Sequence, residues 1–233
     1  SNISGTCAPS DRFSPMIRTD HVDSWYATSA PEFPAQPELQ GLHSADVCIL
    51  GAGITGLSTA IELAEAGFSV IVLEAHRIAW GASGRSGGQA IFGFGCDQAK
   101  ITAEVGLQSS RRMFDWSLEG LDLIKQRCAQ YGIDCDWRDI HAHVPIKPRH
   151  IDELKTWQRD LAENFDYPLH WWDKAQLHAV MPNDRYLGAL VDTRSGHLHP
   201  LKYTQGLAKA ALSLGVKIFE HSRVTQLIRG ARP

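Results

Sequence analysis

No apolar run in the 233 residues approaches the length of a membrane span, so a bilayer-embedded chain is not expected. An excess of one charge sign is missing too: 23 basic residues stand against 26 acidic ones, for a net charge of −3. That balance gives no electrostatic reason to expect nucleic acid or an anionic membrane as partner. Cysteine is scarce: Cys7, Cys48, Cys96, Cys128 and Cys135 form no C-x-x-C pair and no regular framework. Scattered thiols in odd number argue against a secreted disulfide scaffold and make the cytoplasm the default location. Residues 1–18 lack the basic-then-apolar order of a secretory leader. No metal site is expected, because His141, His143 and His170 have no further ligands in a metal-binding spacing. Repeats and low-complexity tracts are absent as well.

What remains is an ordinary globular composition, 43% hydrophobic and 21% charged, long enough to bury a core. Residues 1–44 read as an extended arm, with Pro31, Pro34 and Pro37 at every third position and Trp25 and Tyr26 as its anchors. The pattern changes at Asp46. Val47 to Leu50 is a short apolar run of the kind buried on both faces. Ile54 to Ala66 has helical spacing ended by Gly67, and Ser69 to Leu73 is a second buried strand, so the three form a βαβ unit. Further on, helices are expected near 101–131, 151–165 and 201–214. Strands are expected within 134–147 and at 187–191, 217–220 and 224–228.

Gly51-Ala52-Gly53-Ile54-Thr55-Gly56 fits G-x-G-x-x-G in the context that gives it meaning, after a strand and opening a helix. Gly51 allows the tight turn, Gly53 lets a pyrophosphate approach the backbone, and Gly56 lets helix and strand pack closely. The N–H groups of Ile54 and Thr55 sit at the positive end of the helix, where phosphates bind. Glu74 closes the second strand where a carboxylate accepting from ribose hydroxyls is expected, which disfavours the 2′-phosphate of NADP. FAD and NAD both remain. The loop Gly81-Ala82-Ser83-Gly84-Arg85-Ser86-Gly87-Gly88-Gln89 favours FAD, because a second glycine-rich segment straight after the acid suits a second close approach to a long cofactor. Arg85 is read equally as a partner for phosphate or as a solvated loop residue, and His197 and His199 as structural.

Ser24-Trp25-Tyr26-Ala27, the Gly51–Gly56 fingerprint with Glu74, the Gly81–Gln89 loop and Ser195-Gly196-His197-Leu198-His199-Pro200 together resemble the D-amino-acid-oxidase-type FAD-dependent oxidoreductases. Within that superfamily, the nearest likeness is to the gamma-glutamylputrescine oxidoreductase-like branch, although Ser86 stands where that branch would have asparagine. The resemblance implies an α/β fold: a Rossmann-type FAD-binding domain with an interleaved mixed α+β substrate region. It divides the chain into 1–44, an arm; 45–92, the first FAD-binding part; 93–195, the substrate region; and 196–233, an incomplete second FAD-binding part.

It also assigns Gly51, Gly53, Thr55, Glu74 and Ala75 to the ADP half of FAD. Ala82, Ser83, Gly87, Gly88 and Gln89 are assigned to the rest of the cofactor, with Gly81 opening that loop, and Val224 to adenine. The implied reaction is oxidation of an amine, either an amino acid or a polyamine derivative, by hydride transfer to flavin with oxygen as acceptor. No catalytic residue is assigned. The resemblance further implies a C-terminal part not present here, without which the chain is expected to be inactive and to expose apolar surface around Trp171 and Trp172, with homo-oligomerisation as one way to cover it. Two other readings stay open at this stage, an NAD-dependent dehydrogenase and a non-catalytic FAD-binding module.

Overall fold

The structure, a computed structural model, describes residues 21–230; Cys7, the reading of residues 1–18 and the first part of the arm lie outside the described residues. The arm is not wholly irregular. Ser24 accepts from the Ala27 N–H at 3.2 Å and caps a short helix, α1 (Trp25–Ser29). Tyr26 anchors it with its ring edge-on to His199 at 5.0 Å, whereas Trp25 is 77% exposed and anchors nothing.

The βαβ unit forms as its pattern dictates. β1 (Val47–Leu50) and β2 (Val70–Leu73) pair in parallel, Val47 opposite Val70 and Leu50 opposite Leu73, joined by α2 (Ile54–Glu65). β1 corrects the expectation of burial on both faces, because Leu50 is 59% exposed. It lies at an edge of a three-stranded sheet, and only the central β2 carries three consecutive buried residues.

The helix near 101–131 starts earlier, as α3 (Gln98–Tyr131) with Asp97 as its N-cap, and breaks at Gly106, whose backbone is not helical. Its stripe of Phe114, Leu118 and Leu121 is buried, and left-handed Gly132 ends it. Next come β4 (Arg138–His143), α4 (Pro148–Phe165), β5 (His170–Trp172) and α5 (Lys174–Val180), which has a capping box between Asp173 and Gln176. Trp171 and Trp172 are half-buried and pack against apolar clusters, correcting the expectation of an open patch there.

β6 (Ala189–His197) runs six residues past its expected end at Val191. It is the middle of an antiparallel sheet, with β4 on one side and β5 and β3 (Gln89–Ala90) on the other. Two of its polar residues are buried: Asp192 Oδ1 accepts from the Tyr167 hydroxyl at 2.8 Å while its Oδ2 has no hydrogen-bond partner, and Ser195 accepts from the Phe92 N–H at 3.2 Å.

α6 (Pro200–Ser213) then returns to the first sheet, and β7 (Lys217–Phe219) adds in parallel to β2. α6 packs on α2 through Leu57, Ile61 and Leu207, all fully buried. Each contributes about 1.5–3 kcal/mol, and together they hold the helix that opens at the fingerprint. The strand expected at 224–228 is absent. No strand pairs with it among the described residues, and Leu227 and Ile228 are 68% and 70% exposed. No helix of the described residues is long and apolar enough to cross a membrane.

Candidate cofactor-binding site

The carboxyl ends of the parallel strands converge, with the Gly51 N–H donating to Leu73 at 2.8 Å and that of Glu74 to Phe219 at 2.9 Å. At this edge the chain makes the fingerprint turn. Gly51 has φ +97°, a left-handed value that a side chain would strain, and a Cβ on Gly56 would stand 2.1 Å from the Gly51 carbonyl oxygen. The turn therefore needs both glycines. Gly53 caps α2 without a side chain, and the helical ladder begins at Leu57, whose N–H reaches Gly53 at 3.0 Å. The N–H groups of Thr55 and Gly56 lie above that first rung, at the positive end of the helix.

The two glycine-rich segments meet here. Ser83 Oγ accepts from the Ile54 N–H at 3.0 Å, and Ala79 N–H donates to the Ala52 carbonyl at 3.0 Å. Ser83 thus caps the helix that carries the first motif and takes the Ile54 N–H that was expected to face phosphate, a role its place in a loop did not reveal. Gly81 and Ala82 precede it on the exposed side of a single 3-10 turn, Ala82–Gly84. Gly87 is exposed, while Gly88 is buried: its carbonyl accepts from Leu198 at 2.8 Å, and a Cβ would lie 2.0 Å from the Leu198 oxygen. Gln89 follows on β3, paired with His197.

Glu74 points back into the turn. Its Oε2 accepts from the Ala52 N–H at 2.8 Å and its Oε1 from the His76 N–H at 2.9 Å, which leaves one acceptor site on each oxygen for a pair of hydroxyls. Ala75 sits half-buried beside it. Val224 is the exception among the expected residues. It is 39% exposed and on no strand, although Ser222, two positions earlier, donates to the Glu74 carbonyl at 2.8 Å. Arg85 is exposed and lies over the Trp80 ring at 4.3 Å, and Trp80 in turn stacks on His76 at 3.9 Å.

His199 is structural. Its Nδ1 accepts from the Lys202 N–H at 3.2 Å as the cap of α6, so the proton sits on Nε2, which faces the Ser29 hydroxyl at 3.0 Å. Burial and then Lys202 hold this ring below the ordinary histidine range, in keeping with that neutral tautomer. Glu220 entered the sequence reading only as the end of the strand expected at 217–220, and its role escaped it. It is fully buried at the end of β7 and ties the arm and the loop after β2 to the sheet. Among the described residues, no His, Cys, Asp and Glu cluster could hold a metal. A cavity of about 880 Å³ opens between residues 92–99 and α4, lined by Phe92, Phe114 and Trp157, and none of the fingerprint residues reaches it.

The model of one family, FAD dependent oxidoreductase (DAO), matches residues 46–232. The chain belongs to that family. The family match decides for FAD over NAD and removes the dehydrogenase reading.

The chain is 44% identical over 210 residues to "Probable oxidoreductase OrdL" of Haemophilus influenzae, covering 90% of this chain and 49% of that protein. It is 37% identical over 209 residues to the gamma-glutamylputrescine oxidoreductase of Escherichia coli, covering 90% and 49%. Among solved structures, the L-amino acid deaminase from Proteus myxofaciens in complex with anthranilate superposes with a TM-score of 0.71 at 26% identity, covering 87% of this chain and 44% of that one. The chain spans about half the length of the curated relatives it matches.

The residues fit FAD. The fingerprint turn adds no side chain of its own over the N-terminus of α2, where Ser83 takes the Ile54 N–H, and a fixed carboxylate with open acceptor sites stands beside it. Glu74→Gln tests the second feature. An amide would turn its NH2 toward the N–H of either Ala52 or His76, and it loses a charge-assisted bond to the ribose. We expect FAD to bind about 10–100-fold more weakly, from roughly 1.5–3 kcal/mol. Titration of flavin fluorescence quenching measures this, and an affinity within twofold of the parent would remove Glu74 from the site.

Proposed function

We propose that the enzyme oxidises an amine, an amino acid or a polyamine derivative, to the imine, with dioxygen as final electron acceptor. The observation that carries this reading is the 37% identity to a gamma-glutamylputrescine oxidoreductase over 90% of the chain. The likeness to an L-amino acid deaminase at a TM-score of 0.71 supports the same class of nitrogen-bearing substrate. FAD, when bound, supplies the acceptor for the hydride leaving the substrate carbon.

The chain's own part is binding and orientation. Thr55 and Gly56 offer N–H groups to the pyrophosphate, Glu74 fixes the ribose, and Ser83 locks the second loop onto the helix that carries the first. Gly88, held against Leu198, sets where the chain passes from cofactor loop to β3. The four free thiols among the described residues favour the cytoplasm as its location.

The test is anaerobic mixing of the FAD-loaded protein with a panel of amines, amino acids and alcohols, read as bleaching of the flavin. Bleaching by at least one amine or amino acid and by no alcohol is expected. Bleaching by alcohols alone would overturn the substrate class. Because the relatives are about twice as long, we also propose that these 233 residues reduce flavin more slowly than a form extended to that length. Equal rates in the two forms would overturn that.

A further inference from the structure

Cys128 and Cys135 were scattered thiols in the sequence, but the fold brings them into contact. α3 ends where Gly132 adopts a left-handed conformation, and the N–H groups of Gly132 and Ile133 both turn back to the Cys128 carbonyl. This reversal lays residue 135 beside the last turn of the helix, with the two Sγ atoms 3.6 Å apart. Closing a bond between them asks for an approach of only about 1.5 Å. The other two described cysteines, Cys48 and Cys96, are exposed and free.

We propose that Cys128 and Cys135 form a reversible oxidation site that closes to a disulfide when the folded protein meets a small disulfide such as oxidised glutathione. The two thiols are unequal in a way that sets the order of attack. Cys128 is partly exposed, and as a thiolate it accepts a hydrogen bond from the Cys135 thiol, which lowers its pKa against the opposing effect of burial. Cys135 is 2% exposed, and the same bond, then burial, raise its pKa well above the ordinary thiol range. Cys128 is therefore the attacking sulfur.

In the first step its thiolate displaces one glutathione thiolate from the oxidant and forms a mixed disulfide. Cys128 is then neutral, so the negative charge that held the proton on Cys135 is gone. In the second step Cys135 loses that proton to solvent and displaces the second glutathione. Two protein thiols and one glutathione disulfide become one protein disulfide and two glutathiones, a two-electron exchange that a reducing thiol reverses.

The backbone on both sides of the pair is held in place. The Cys135 carbonyl is held by the His199 N–H at 2.7 Å, and Cys128 sits in the last regular turn of α3. The site is independent of the flavin chemistry, so the test does not depend on the substrate.

FAD-loaded protein is incubated with mixtures of oxidised and reduced glutathione, quenched in acid and mapped by trypsin without reduction. Both cysteines fall in one peptide, residues 128–138, so closure appears as that peptide lighter by two hydrogens. We expect this species to dominate in oxidising mixtures and to revert in reducing ones, while Cys48 and Cys96 carry thiols or glutathione. In Cys135→Ser, Cys128 should instead accumulate bound glutathione. If residues 128–138 keep both thiols, or the parent protein stops at the mixed disulfide, the proposal is overturned. Retained flavin fluorescence quenching confirms in each case that the folded protein was tested.

Discussion

Gly56→Ala is expected to weaken FAD binding by roughly a hundredfold or more. The added Cβ would stand 2.1 Å from the Gly51 carbonyl oxygen and 3.3 Å from Ile49 Cγ2. The first of these is backbone in a turn that already needs φ +97°, so it cannot swing aside as a side chain can. Relief requires α2 to lift off β1. Overpacking of this kind costs about 3 kcal/mol when the neighbour is rigid, and each 1.4 kcal/mol is about tenfold in affinity. The same shift moves the Thr55 and Gly56 N–H groups away from the pyrophosphate.

Gly53 offers a graded comparison. A Cβ there meets Ser83 Oγ at 2.8 Å, a side chain that can rotate at the expense of its bond to the Ile54 N–H. Gly53→Ala should therefore cost less than Gly56→Ala. Gly53→Val, whose methyls reach into the phosphate space, should abolish binding. Flavin quenching titrations on the three variants give the order, with circular dichroism to confirm the fold. A parent-like affinity for Gly56→Ala would show that the pyrophosphate is held somewhere else.

The part of the site that the sequence revealed is the part written in consecutive residues. A strand, a turn, a helix and an acid after the next strand are local patterns, and local hydrophobic periodicity with glycine placement is enough to read them. The FAD-binding half of the fold followed from them.

What escaped depends on partners far along the chain. β6 was cut short at Val191 because Asp192-Thr193-Arg194-Ser195 looks like surface. Tyr167 and Phe92 bring hydrogen bonds to its buried members, Asp192 and Ser195, from other elements. The opposite error occurred at Val224, Leu227 and Ile228, whose β-favouring residues suggested a strand that has no neighbour to pair with. α5 was missed although Asp173-x-x-Gln176 is a legible capping signal, because seven residues carry too little periodicity to stand out. The cap that Ser83 forms on Ile54 was not legible either, since nothing in a glycine-rich loop says which N–H its hydroxyl will find.

Glu220 is the furthest from local legibility, and its replacement carries the second large effect. Glu220→Ala is expected to destabilise the protein by about 3–5 kcal/mol, a fall in Tm of roughly 6–20 °C for a chain of this size. The carboxylate is wholly buried and gathers three donors. The Gln36 N–H reaches it at 2.8 Å and that of Ile78 at 2.6 Å, while Arg77 Nε lies 3.0 Å from both oxygens. Arg77 goes on to the Phe33 carbonyl at 2.9 Å, and the Glu220 N–H to that of Pro37 at 3.2 Å. One side chain thus ties the proline-rich arm and the loop after β2 to the end of β7.

Alanine would leave a guanidinium and two N–H groups facing a void, which is why the cost exceeds that of a lost hydrogen bond. Glutamine keeps one acceptor and should cost less, about 1–3 kcal/mol. The loop after β2 is also the one that carries Ala79 onto Ala52 and Ser83 onto Ile54. Loosening it from behind should therefore weaken FAD as well, by a smaller factor than Gly56→Ala. Thermal unfolding of parent, Glu220→Gln and Glu220→Ala, each with saturating FAD, should fall in that order. A Tm for Glu220→Ala within about 2 °C of the parent, under 1 kcal/mol on the same scale, would mean that water or a neighbouring acceptor takes over its donors and that the arm is held by other contacts.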